Sequence, residues 1–224
     1  MMQARKGKKI LIYFLLLLIV CSINNIALNR INFSYISNIK ILGLEGENKN
    51  FLYENINKLK LGNIFFINKE ELQNLIAKNT LIEKYDIFKV YPSTLYINIK
   101  KTEFLAKINL NGTNYIIGSN GKLLKNDLYI NDLPFIFGIP KINEFLRLKK
   151  MIDISKFEFK EIKNLYYFTS GRWDIELNNN ILIKLPNYNI NHSLELVFEF
   201  LSNENLTKIK VVDARIKDQI ILDD

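Results

Sequence analysis

The chain has 224 residues, room for one large or two small domains, and its 48% hydrophobic and 12% aromatic content is too high for intrinsic disorder and too evenly spread for a polytopic membrane protein. A single cysteine, Cys21, excludes an internal disulfide, and a single histidine, His192, excludes a metal site built on histidines. The net charge of +8 would suit a nucleic acid or an anionic surface, but four of the cations, Arg5, Lys6, Lys8 and Lys9, stand together just before an apolar run.

That run extends from Ile10 to Val20 and continues, diluted by Ser22, Asn24 and Asn25, to Leu28. A bilayer core needs about 20 helical residues, so the full run just spans and its undiluted part does not. Three readings compete: an uncleaved signal anchor, a cleaved signal peptide and a buried core helix. The segments "SIN" and "NIA" each offer only one of the small residues that a cleavage site wants, and Val20 is not the small residue a lipoprotein signal needs before Cys21. The flanks therefore favour the anchor. The basic cluster holds the N-terminus in the cytoplasm, and everything after Asn29 is expected outside it. Cys21 then serves as a small apolar residue in or near the bilayer.

Beyond Tyr35, "YISNIKILGLEG" places Ile36, Ile39 and Ile41 in an extended run stopped by Gly43 and Gly46. Leu52, Ile56 and Leu59 follow at helical spacing, with Gly62 as the stop. Asn68 and Glu71 have the spacing of a capping box ahead of Leu72, Leu75 and Ile76 on one helical face. A strand is expected over Ile82–Tyr91, with a bulge near Tyr85–Phe88 because its alternation is imperfect. Pro92 belongs in a turn, and Leu95, Ile97 and Ile99 then alternate inward. The order is strand, helix, helix, strand, strand.

The second half is richer in strands. "NYIIGSNGKLLK" reads as a hairpin across Asn120-Gly121. "KINEFLRLKKMI" supplies a helix with Ile142, Phe145 and Ile152 inward, and "GRWDIELNNNILIKLP" alternates Trp173, Ile175 and Leu177, turns, and alternates Ile181, Ile183 and Leu185. Leu194, Val197, Phe198 and Leu201 form a last helical face, with His192 solvated or capping at its start. "KIKVVDARIKDQIIL" closes as strand, with Val212, Ala214 and Ile216 inward and Arg215 and Lys217 outward. Asp218 and Gln219 either turn the chain, leaving Ile220–Leu222 as an edge strand, or lie within one continuous strand.

Two stretches carry a family resemblance. Ile82, Tyr85, Ile87, Lys89, Pro92, Thr94, Leu95, Ile97 and Ile99, with "IKILGLEG" and "GNIFFINKEEL" before them, resemble the POTRA domain of the FtsQ/DivIB bacterial division proteins. "NYIIGSNGKLLK", "LPFIFGIP", the Trp173 hairpin and "VVDAR" resemble the same family's second domain, with Ala214 where the family has leucine. Tyr85, Lys101 and Phe104 depart from the pattern, the last two at the domain junction. The resemblance implies an α+β protein: a cytoplasmic tail (1–9), a transmembrane signal anchor (10–29), a β-α-α-β-β POTRA domain (35–103) and a β-rich C-terminal domain with flanking helices (104–224). It further implies a divisome scaffold at the septum of the inner membrane that holds the partners FtsB and FtsL. Carried over by position, the partner-facing residues are Arg215, Ile216, Asp218, Gln219 and Ile220.

No phosphate loop, serine elbow or metal-ligand spacing is present, and the carboxylates of "EGE" and "KEE" sit at turns and helix starts. An enzyme is not expected, nor a cofactor or small-molecule substrate. Lysines interleaved with Asp and Glu, on an exported chain, argue against nucleic acid. What remains is interaction through an edge strand, whose unpaired backbone groups accept a strand from another protein. A POTRA-type chaperone or transport component binding client strands would work in the same way and is the alternative.

Overall fold

The computed structural model describes residues 3–23, 35–125, 132–203 and 209–223. Helix α1 (Gln3–Ile23) opens the chain and covers the expected anchor as far as Ile23. The rest of that segment lies outside the described residues, and among the described residues no helix is long and apolar enough to cross a membrane. Beyond α1 the elements are β1 (Asn38–Leu42), α2 (Gly46–Lys58), α3 (Lys69–Lys78), β2 (Ile82–Val90), β3 (Thr94–Lys101), β4 (Phe104–Leu110), β5 (Thr113–Gly118), β6 (Leu123–Lys125), β7 (Phe135–Phe137), α4 (Ile142–Ile154), β8 (Ile162–Tyr167), β9 (Trp173–Leu177), β10 (Leu182–Lys184), α5 (Ile190–Asn203), β11 (Val211–Asp213) and β12 (Ile221–Asp223). Two compact units result: one takes the chain to Lys78 with Tyr85–Ile99, the other takes Asn79–Lys84 and everything from Lys100.

The first unit has a three-stranded sheet in the order β1-β3-β2, with β1 parallel to β3 so that Ile39 faces Leu95 and Ile41 faces Ile97. Leu95, Ile97 and Ile99 are buried with Leu52, Ile56, Leu72 and Ile76 of the two helices, as their two- and three-to-four-residue spacings require. Asn68 caps α3 through its side-chain oxygen, which accepts from the Glu71 N–H at 3.4 Å. Gly46, expected as a strand stop, is instead the first residue of α2. Burial in β2 alternates regularly from Glu83 to Val90. No interruption falls at Tyr85–Phe88, where a bulge was expected: the tyrosine and the charged residues around it obscure a regular two-residue period.

The second unit is a nine-stranded sheet in the order β12-β11-β10-β9-β8-β7-β4-β5-β6. One row runs across its centre, from Ile108 through Ile136, Leu165, Ile175 and Ile183 to Val212, each opposite the next across a strand pair or through β9 and β10. That row joins Phe145, Leu148 and Ile152 of α4 and Leu194 and Val197 of α5 in one apolar cluster. Each fully buried aliphatic side chain there is worth about 1.5–3 kcal/mol, so this cluster holds the sheet and both helices together. The six residues of the Trp173 hairpin expected to alternate inward are all buried.

The Asn120-Gly121 hairpin pairs β5 with β6 as expected. The structure adds a second hairpin: β4 and β5 pair across Asn111-Gly112, both at positive φ, the backbone a tight hairpin turn demands. Asn120 also donates its side-chain amide to the Thr80 and Ile82 carbonyls at 2.8 and 2.9 Å, which ties Asn79–Lys84 into the second unit.

Candidate partner-binding edge

The chain ends in a strand-turn-strand. Val211–Asp213 runs parallel to β10, and Ile221–Asp223 returns antiparallel with Val212 opposite Leu222. Between them Gln219 N–H donates to the Ile216 carbonyl at 3.3 Å, and Asp218 sits at φ 57°. Aspartate tolerates that left-handed region through its short polar side chain, so a turn forms without the glycine that would have announced it.

β12 stands at the end of the sheet order and pairs on one side with β11. Its outer backbone edge is therefore open among the described residues, and Ile221 and Leu222 project exposed apolar side chains to its two faces. A strand edge with apolar side chains on both faces can take an added strand: main-chain bonds give affinity and alternate side chains give selectivity.

The five candidate residues divide by environment. Ile216, expected inward, is 50% exposed, because the chain leaves the strand after Asp213 and the two-residue alternation ends with it. Ala214, just before it, is buried, and its carbonyl accepts from the Ser193 hydroxyl at 3.3 Å. Arg215 turns back onto Asp213, with its Nε 2.8 and 2.9 Å from the two carboxylate oxygens. This charge-assisted pairing holds the Asp213 carboxyl below its ordinary range. Asp218 meets His192, whose Nε2 lies 2.6 Å from Oδ1; the histidine is solvent-exposed, as expected, and also ties the first turn of α5 to the hairpin turn. Gln219 is exposed, and Ile220 is half-buried against the core cluster.

Behind this edge, the sheet face turned away from the helices carries a polar ladder. Asp174 is only 3% exposed, and burial pushes its carboxyl up despite the opposing pull of Arg172, whose Nε sits 3.1 Å away. On the neighbouring row, Glu176 accepts from Asn164 at 2.9 Å and from the Tyr166 hydroxyl at 2.7 Å, which lowers its carboxyl. Sequence pattern alone did not mark Asp174, because a strand's polar side is read as solvated by default. Among the described residues no group of three or more His, Cys, Asp or Glu could hold a metal ion.

Comparison with known proteins places these observations. A family model described as "Cell division protein FtsQ/DivIB, C-terminal" matches residues 106–215, and one described as "POTRA domain, FtsQ-type" matches residues 34–101. The chain is 23% identical over 187 residues to the cell division protein FtsQ of Rickettsia typhi, covering 80% of this chain and 69% of that one. It is 25% identical over 166 residues to FtsQ of Rickettsia bellii, covering 72% of this chain and 61% of that one. It is 29% identical over 134 residues to the cell division protein DivIB of Staphylococcus aureus, covering 59% of this chain and 26% of that one. With both units matched in order along the chain, the protein belongs to the FtsQ/DivIB family of bacterial cell division proteins.

Proposed function

We propose that this protein is a non-enzymatic scaffold of the bacterial divisome, which binds an extended segment of a membrane-anchored partner along the open edge of β12. The observation that carries this reading is the position of β12 at the sheet edge, paired on one side with β11. FtsB and FtsL are the proposed partners, by family. Ile216 and Gln219 are exposed beside the edge and are proposed to touch the incoming strand. Arg215 and Asp218, braced by Asp213 and His192, present charge next to it, and Ile220 anchors the start of β12 on the core.

The proposed organisation is a cytoplasmic tail (1–9), a single-pass anchor (10–29), a POTRA domain (35–103) and a C-terminal β-domain (104–224), in the inner membrane at the septum. The apolar run from Ile10 to Leu28 behind four cations supports a cytoplasmic N-terminus and an external bulk.

Replacing Ile221 with proline removes a strand N–H and fixes φ. The variant should stay folded by circular dichroism and lose its partners on co-purification from membranes. Retained binding would contradict the edge as the site. The alternative, a POTRA-bearing chaperone that captures client strands by the same edge, predicts a broad set of unrelated bound proteins in place of a few division proteins.

A further inference from the structure

The end of the first unit where the chain enters it carries a second surface, remote in sequence from β12. Ile36 N–H donates to the Gly62 carbonyl at 3.0 Å and Ser37 N–H to the Ser93 carbonyl at 2.9 Å. The entry segment, the loop from Lys60 to Phe66 and the β2–β3 turn therefore meet at one end of the small sheet. There the Phe65 ring stacks on Tyr91 with centroids 5.1 Å apart, and Lys89 Nζ donates to the Phe65 carbonyl at 3.2 Å. Phe66 is 85% exposed and Tyr35 68% exposed, and Phe65 and Tyr91 are exposed beside them. Single exposed rings are ordinary, but four gathered at one end of so small a unit mark a contact surface.

Its charge is one-sided. Among residues 35–37, 60–66 and 91–93 the only charged side chain is Lys60; Lys89 brings a second cation, and no Asp or Glu precedes Glu45 in the whole chain. Aromatic rings with lysines and without carboxylates match the headgroup layer of an anionic bilayer, where rings sit at the apolar boundary and cations at the phosphates. Chain length brings that layer within reach. Residues 30–34 separate the proposed anchor from Tyr35, a stretch of about 20 Å at full extension.

We propose that this end of the first unit rests on the lipid interface, with Tyr35, Phe65, Phe66 and Tyr91 in the headgroup layer and Lys60 and Lys89 on lipid phosphates. The inference builds on the single-pass anchor proposed above. Membrane contact at this end would hold the unit in one orientation, so that the first sheet presents its other surfaces to partners at a fixed height.

The test uses the full chain with Cys21 replaced by Ser, in vesicles of phosphatidylethanolamine and phosphatidylglycerol. A polarity-sensitive fluorophore is attached in turn at Phe66→Cys, at Phe51→Cys on the exposed side of α2, and at Leu16→Cys within α1. Lipids carrying a nitroxide at the headgroup or deep in the acyl chain serve as quenchers. The proposal expects a blue-shifted Phe66 probe quenched by the headgroup nitroxide, a solvent-like, unquenched Phe51 probe and a Leu16 probe quenched by the deep nitroxide. Replacing phosphatidylglycerol with phosphatidylcholine should weaken quenching at Phe66 and leave Leu16 unchanged. A solvent-like Phe66 probe beside a deeply quenched Leu16 probe would overturn the proposal and leave the anchor standing. An unquenched Leu16 probe would overturn the anchor and the proposal together. A blue-shifted Phe66 probe that no nitroxide quenches would mean protein contact at this surface and would also overturn lipid contact.

Discussion

Gly43 shows how strictly one residue is specified. It sits at φ 86°, and a Cβ there would lie 1.8 Å from the Ile99 carbonyl oxygen, so the backbone of β3 occupies the space a side chain needs. Gly43→Ala should cost at least about 2 kcal/mol from strain and displaced packing, and a thermal melt that superimposes on the parent's would contradict this. Two carboxyls in the second unit set opposite pH trends. Asp213 is lowered, first by its hydrogen bond from Arg215; its stabilising contribution is present above the ordinary value of 3.8 and is lost as pH falls through its lower folded value. Asp174 is raised, first by burial; its contribution is complete below 3.8 and is lost as pH rises through its higher folded value. Urea unfolding should therefore find Asp213→Asn destabilising at neutral pH, with the difference from the parent closing in acid. Asp174→Asn keeps an acceptor for Arg172 and removes the buried charge, so it should match or exceed the parent at neutral pH. An Asp174→Asn protein much weaker than the parent at neutral pH would show that the pair with Arg172 outweighs the cost of burial.

At the scale of elements, core and edge hairpin differ in what single changes do. Leu148 of α4 is fully buried in the central cluster, and Leu148→Ala should cost about 2–5 kcal/mol, measurable by chemical denaturation. His192 and Asp218 are both largely exposed at the hairpin turn, so His192→Ala should cost no more than about 1 kcal/mol. A larger loss would mean that this contact holds the edge strand in place. Elements with clean periods were legible in the sequence: Leu95, Ile97 and Ile99, the six alternating residues of the Trp173 hairpin, and the faces of α2, α3 and α5. The missed elements have physical reasons. β8 alternates poorly because a register shift falls between Ile162 and Asn164, and the β4–β5 hairpin starts with another, between Phe104 and Ala106, so neither reads as two-residue alternation. Leu148 lies one turn from Phe145 and Ile152, and the charged Arg147 and Lys149 on either side of it mask its place on that face. In the candidate site, the apolar Ile220–Leu222 run was readable as an edge strand if Asp218 and Gln219 turn the chain. The reversal at Asp218 was not decided, because only the fold selects a left-handed aspartate, and the pairing of His192 with Asp218 joins residues 26 apart in sequence.

At the scale of the whole molecule, the proposed protein is a membrane-tethered scaffold that works through its surfaces. Its topology has a direct check: a reporter enzyme active only in the cytoplasm, fused after Asp224, should be silent, and an active fusion would reverse the orientation read from Arg5, Lys6, Lys8 and Lys9. The proposed binding edge at β12 is tested by affinity purification of the full chain from detergent-solubilised membranes, parent beside Ile221→Pro, with the bound proteins identified by mass spectrometry. A small set of division proteins, the proposed partners FtsB and FtsL among them, should come down with the parent and be lost with the variant, while both keep the same circular dichroism spectrum. Equal recovery of those partners by a folded Ile221→Pro protein would contradict it.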